Sequence, residues 1–289
     1  MCHRLETAPK GIARRRRRAL ASSSVTRLPF DVYLDHIDRE SRRFRDVLAG
    51  CDPEARVPSC PDWSAADLLW HLTEVQTFWE RVVRERPAGP DDDWQEPSRP
   101  GTYAELLAAF DDRHGAFVAA LQAADPAEAA WTWSTEQTVG FTFRRQAQES
   151  LIHRLDAELT AGSVTGLDPV LAADGVDEAL DIMFGGTPAW GRFDPLPHHV
   201  RVDLTDTDTQ VWVQLGTFSG TSPDGTDYAE EPDISVVPDP GDDPDAVVEG
   251  LAADVDAWLW RRGDDAGIHV AGDRGIYDRF RACVNQPIT

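Results

Sequence analysis

Through its first half the chain repeats apolar residues at spacings of three and four; beyond about residue 165 stretches of strict alternation appear. Spacings of three and four mark the buried stripe of an amphipathic helix, and alternation marks a half-buried strand. Residues 29–48 carry the first stripe, Tyr33, Ile37, Phe44 and Leu48, with Pro29 suited to a helix start and Gly50 to its end. Prolines at 58 and 61 keep residues 57–63 extended. Ser64 with Asp67 three positions on is an approximate capping box for a second helix, whose stripe of Leu68, His71, Val75, Phe78 and Val82 fades before Pro87. A proline- and aspartate-rich loop over 87–100 leads to Thr102 and Glu105, a second capping signal, and to a third helix striped by Leu106, Phe110, Phe117 and Leu121. A fourth helix is predicted over 142–161 and stops at Gly162. Four such helices in succession read as a bundle.

The second half predicts a different architecture. A helix over 169–184 ends in Gly185-Gly186, followed by strands at Val200, Val202 and Leu204, at Val211, Val213 and Leu215, and at Ile234 and Val236. A helix over 244–262, a short strand at 268–270 and a terminal helix over 273–283 complete the pattern. The class is therefore α+β with two domains, a bundle over 29–164 and a smaller α/β unit over 165–289. Asp203, Asp206 and Asp208 lie between two strands without the glycine and distal glutamate of a calcium loop, and read as a hairpin turn.

Charge changes the picture only at the N-terminus. Residues 1–28 hold eight basic side chains, among them Arg14 to Arg18, against Glu6 alone. Taken from totals of 28 basic and 51 acidic residues, this leaves the remainder near −30. A body that acidic repels phosphate backbones, which argues against nucleic-acid binding. No run of about eighteen apolar residues exists, so no membrane span is expected. The basic segment lacks the apolar stretch of a secretory signal and reads as a disordered tail, or as a start placed too far upstream. The four cysteines form no C-x-x-C pair and read as free thiols in a reducing cytoplasm.

The chemistry-bearing residues sit in the bundle. Glu149 and His153 are one helical turn apart, and neighbours at that spacing can bind one ion. His71 lies on the inward stripe of the second helix. Two imidazoles and one carboxylate on two helices match a catalytic zinc site with an open fourth position, and the same set suits iron or nickel. The rival reading is bland: a surface ion pair at 149 and 153, and a hydrogen-bonded core histidine at 71. The helical wheel favours the rival, since Leu151, Leu155 and Leu159 form one stripe while Glu149, His153, Asp156 and Thr160 lie well over about 100° away. Both faces are enclosed only if this helix is central or its polar side lines a cavity. Asp156 is either an orienting partner of His153 or a solvated aspartate. His114 has no evident carboxylate partner, and His198 with His199 looks like a surface pair. No phosphate-binding glycine loop or G-x-S-x-G element is present.

Two runs resemble the ligand motifs of the mycothiol-dependent maleylpyruvate isomerase family, within the wider DinB-like metal-binding bundles. They are V-P-S-C-P-D-W-S-A-A-D-L-L-W-H-L at 57–72 and V-G-F-T-F-R-R-Q-A-Q-E-S-L-I-H-R-L-D-A-E at 139–158. A-V-V-E-G-L-A-A-D-V-D-A-W-L-W-R-R at 246–262 and G-D-R at 272–274 resemble that family's sterol-carrier-like C-terminal domain. The resemblance implies that His71, Glu149 and His153 hold a divalent ion, zinc by preference, with the polar stripe facing the metal cavity. It implies an enzyme that activates mycothiol, a low-molecular-weight thiol, for isomerisation of, or transfer to, a small electrophile. Hydrolysis of a thiol conjugate is a variant, and a non-catalytic metal-containing ligand binder is the alternative. It further implies a basic residue of the C-terminal domain that holds an acidic substrate, drawn from Arg261, Arg262, Arg274, Arg279 and Arg281. The sequence departs from the family pattern at Gln76, where relatives often carry a second histidine, and at Asp62, which replaces a frequent glycine.

Overall fold

A computed structural model describes residues 27–91, 95–286 and 288 of the chain. The basic tail expected over 1–28 therefore lies outside the described residues except for its last two positions. The chain divides between Leu167 and Asp168 into two compact units.

The first unit is built on four helices: α1 (Phe30–Ala49), α2 (Ala65–Glu85), α3 (Tyr103–Gln122) and α4 (Val139–Ala161), with a small antiparallel hairpin, β1 (Arg56–Val57) and β2 (Cys60–Ser64), before α2. Both anticipated capping boxes form: Ser64 and Asp67 at α2, Thr102 and Glu105 at α3. Thr138 accepts from the Phe141 amide and starts α4 three residues earlier than its apolar pattern suggests. Gly162 ends α4 at φ 69°, a left-handed conformation that costs a side-chain-bearing residue energy. Helix α1 packs chiefly on α4 and α2 on α3, around Tyr33, Ile37, Phe44, Leu72, Phe110 and Phe117. The rings of Phe44 and Phe110 meet at 5.3 Å.

Helix α4 is buried on every side. From Val139 to Glu158 each residue is buried except Glu149, which is half-buried. The one-sided wheel thus does not apply, and the polar stripe is enclosed with the leucine stripe. Enclosure obliges its charges to find partners. Arg154 donates to Glu40 of α1 at 2.8 Å, to Glu158 at 2.9 Å and to the Thr165 carbonyl at 3.1 Å. Elsewhere in the core His114 lies 3.1 Å from Asp38 and 3.1 Å from Gln76, which donates to Ser41 at 2.9 Å. His114 does have a carboxylate partner; it stands on α1, 76 residues away, where sequence proximity gives no hint of it.

Glu40 yields a pH-dependent expectation. Burial opposes its charge, but the His36 imidazole nearby and the hydrogen bond from Arg154 prevail and lower its pKa from 4.5 to about 2. A carboxyl more acidic folded than unfolded stabilises fully above its unfolded pKa, and that stability disappears as the pH falls through its folded pKa. The shift corresponds to about 3 kcal/mol. Urea denaturation at stepped pH should therefore show a steep loss between pH 4.5 and about 2. Glu40→Gln should flatten that part of the profile.

The second unit carries a five-stranded sheet in the order β5-β4-β3-β6-β7. Its strands are β3 (Gly191–Leu204), β4 (Thr209–Thr221), β5 (Asp227–Val237), β6 (Ala246–Gly250) and β7 (His269–Gly272), with helices α5 (Pro169–Glu178), α6 (Ala252–Leu259) and α7 (Arg274–Val284). Helix α5 continues as one π-helical segment, Ala179–Phe184, up to Gly185-Gly186. Strands pair antiparallel except β3 with β6. Here the expected helix over 244–262 is corrected: residues 246–250 form β6, paired from Val200 with Ala246 to Leu204 with Gly250, and only Ala252–Leu259 is helical. The partner that makes A-V-V-E-G a strand is 46 residues upstream.

Cys51 and Cys283 are free, as expected, whereas Cys60 is disulfide-bonded, against the free-thiol expectation. No helix among the described residues is long and apolar enough to cross a membrane.

Candidate metal centre

Helices α2 and α4 bring His71, Glu149 and His153 together. One candidate ligand atom from each lies within 4.8 Å of the others. The Nε2 atoms of both imidazoles converge on one oxygen: Oε1 of Glu149 is 3.0 Å from His153 and 3.7 Å from His71. The two rings stand edge to face, 4.8 Å apart at 74°. No other group of three or more such side chains occurs among the described residues.

Each of the three is held from behind. His153 donates through Nδ1 to Asp156 at 3.0 Å, which leaves Nε2 to face the cluster. Asp156 has no exposed surface, so of its two sequence readings the solvated one fails. Arg145, one turn before Glu149, donates to Oε2 at 3.3 Å and occupies the carboxylate oxygen that does not face the imidazoles. The Trp63 ring of β2 lies 4.7 Å from the His71 ring. Sequence reasoning missed Arg145 and Trp63. Arg145 was detectable as an R-x-x-x-E pair at helical spacing; Trp63 was not, because it precedes the helix it supports.

These contacts polarise the side chains. Burial lowers the His71 pKa, with the Glu149 carboxylate 3.7 Å away opposing it only in part. Burial also disfavours charge on His153, but hydrogen bonds to Asp156 and Glu149 outweigh it and raise the pKa to about 9. Glu149 is held well below the usual carboxylate range despite its burial, by the hydrogen bond with His153 and by the His71 imidazole 3.7 Å away. The donor set suits a divalent cation: two nitrogens and one carboxylate oxygen aimed at one another, with the His153 ring oriented by a carboxylate. The side chains of His71 and Glu149 are 18% and 17% exposed and that of His153 6%, so the cluster is open on the side of the first two.

Two family models match the chain. One, described as the mycothiol maleylpyruvate isomerase N-terminal domain, covers residues 34–158 and contains all three cluster residues. The other, the MDMPI C-terminal domain, covers residues 170–279. The chain belongs to the mycothiol-dependent maleylpyruvate isomerase family. Among solved structures it is similar to the crystal structure of the mycothiol-dependent maleylpyruvate isomerase, at 12% identity and TM-score 0.56, over 84% of this chain and 93% of that one. A histidine-to-alanine mutant of that isomerase matches over the same shares, at 12% identity and TM-score 0.57. These likenesses bear out the α+β fold of a helical unit followed by a mixed sheet. No curated protein matches the chain, and nothing in the comparisons favours the non-catalytic ligand-binding alternative.

The five arginines that the family resemblance singled out in the second unit have distinct surroundings. Arg274 is exposed, pairs with Asp278 at 3.2 Å and stacks on Tyr277. Its G-D-R motif has a structural explanation: Gly272 adopts φ 89°, a β-carbon there would lie 2.3 Å from the Asp245 carbonyl, and Asp273 caps α7. Arg262 lies over Trp260, Arg281 lies 4.2 Å over Trp258, Arg261 adopts φ 61° and Arg279 is exposed.

Proposed function

We propose that His71, Glu149 and His153 are the protein ligands of a divalent metal, zinc by donor type, in an enzyme that activates mycothiol against a small electrophile. The observation that carries this reading is the convergence of both Nε2 atoms on Glu149 Oε1. When bound, the cation supplies Lewis-acid stabilisation of a thiolate, so that the nucleophilic form persists at neutral pH.

The chain's own residues prepare for that chemistry. Arg145 restrains Glu149 so that a single oxygen faces the imidazoles. Asp156 keeps the proton of His153 on Nδ1 and its Nε2 turned inward. The half-exposed flank at His71 and Glu149 is where a thiol approaches, and three protein ligands leave it a place. For a conjugated cis double bond, thiolate addition, rotation about the resulting single bond and elimination of the same thiolate complete an isomerisation. Addition without elimination is the transferase outcome of the same site. An arginine of the C-terminal unit holding an acidic substrate, and a cytoplasmic setting, belong to this reading.

Elemental analysis followed by calorimetry with mycothiol tests it. The purified protein is expected to hold one equivalent of divalent metal, and chelation is expected to weaken mycothiol binding at least tenfold. A cobalt-substituted protein whose absorption spectrum mycothiol leaves unchanged would show that the thiol never reaches the metal, and the enzymatic reading would fail.

A further inference from the structure

The β1–β2 hairpin supports both histidines of the cluster from outside. Trp63 of β2 lies against His71. Ser59, in the turn between the two strands, donates its hydroxyl to Oδ1 of Asp156, 97 residues away, while Oδ2 of the same carboxylate accepts from His153 Nδ1 at 3.0 Å. The Asp156 side chain is fully buried, and both of its oxygens are engaged. A buried carboxylate accepts hydrogen bonds and cannot donate them while ionised, so an N–H bond must point at it from Nδ1. That fixes the orientation of the ring and turns its Nε2 toward Glu149, 3.0 Å away. Asp156 by itself could rotate about its terminal torsion. The Ser59 hydroxyl removes that freedom by occupying the second oxygen.

We infer that Ser59 and Asp156 form a positioning relay in which the hairpin, through a hydroxyl and a carboxylate, sets the aim of His153. Neither residue touches the reacting groups; each acts through His153. The inference rests on the metal-ligand reading for its consequence, tighter metal binding, while the hydrogen bonds that aim the ring are present in the protein itself. The relay also explains why residues far apart in sequence, at 59 and 156, belong to one site. The hairpin is short and is anchored where the Ala65 amide donates to the Ala55 carbonyl at 2.8 Å, just ahead of the α2 capping box. The serine therefore approaches α4 from a fixed base.

The test uses the full chain and two variants. Asp156→Asn keeps the shape of the side chain and removes its charge; Ser59→Ala keeps the carboxylate and removes its anchor. Zinc affinity, measured by competition with a chromophoric chelator, is expected to fall by about 10- to 100-fold in Asp156→Asn, the range for groups that orient metal-bound imidazoles. It should fall by about three- to tenfold in Ser59→Ala, the worth of one hydrogen bond, and Ser59→Thr should restore it. Unchanged zinc affinity in both variants would overturn the relay, even if the melting temperature dropped. If Asp156→Asn fails to fold, Ser59→Ala and its threonine rescue decide alone. A parent protein that binds no zinc would sink the metal reading and the relay with it, whereas zinc bound with unchanged affinity in both variants would sink the relay and leave the metal reading standing.

Discussion

Replacing His153 with alanine is expected to strip the protein of its metal while the four helices remain folded. His153 is buried and contributes the imidazole closest to Glu149, at 3.0 Å. Its removal leaves two donors, His71 and Glu149, and two protein ligands are too few for a stable catalytic zinc site. Occupancy by elemental analysis should fall from one equivalent to under about a tenth of that, and thiol-dependent turnover by at least about 100-fold, beyond the range for an orienting group alone. The fold should survive because the change touches one helix face. The lost ring leaves a void and frees Oδ2 of Asp156, while Oδ1 keeps Ser59; together these cost on the order of 1–3 kcal/mol. Circular dichroism at unchanged helical amplitude separates metal loss from unfolding. A His153→Ala protein that retains a full equivalent of metal would refute the ligand assignment.

The elements of this molecule were legible where local physics decides them. Ser64 with Asp67, and Thr102 with Glu105, announce helix starts because a cap is satisfied within four residues. Gly162 marks a helix end for the same local reason. Glu149 and His153 were legible as a pair because one helical turn joins them. What escaped was decided by distant partners. Residues 246–250 read as the start of a helix until β3 claims them as a parallel strand. The wheel of α4 set its charges in water, because a wheel contains no information about how many neighbours surround a helix; this one is enclosed on all sides. The carboxylate beside His114 and the hydroxyl beside Asp156 come from 76 and 97 residues away. A serine in a turn carries no signal of its own. The three cluster residues could be nominated from sequence, but the residues that hold them in place could not.

The largest effect on stability is expected from Arg154→Ala, one residue beyond the proposed ligand His153. The Arg154 side chain is 3% exposed, and its carboxylate partners Glu40 and Glu158 are 6% and 0% exposed. Its guanidinium joins α1 to α4 through Glu40, and α4 to the segment beyond it through the carbonyl oxygens of Thr165 and Gly166. Glu158 keeps other donors when the arginine is removed: Arg43 at 2.8 Å and the Thr165 amide at 2.8 Å. Glu40 keeps only a partly exposed partner, Arg39 at 3.1 Å, besides His36 at 4.0 Å. Breaking a buried ion pair from one side costs about 3–5 kcal/mol, because the remaining charge is left in a poorly solvating interior. Urea denaturation at neutral pH should register a loss of that order. At pH 4 the loss should be smaller, because the stranded Glu40 takes up a proton more readily than when paired. Arg154→Met combined with Glu40→Leu should recover much of the loss, since an apolar replacement of both partners leaves no orphaned charge. A change below about 1 kcal/mol in Arg154→Ala would mean that water already reaches this network. In that case α4 would not be the enclosed helix on which the aim of Glu149 and His153 depends.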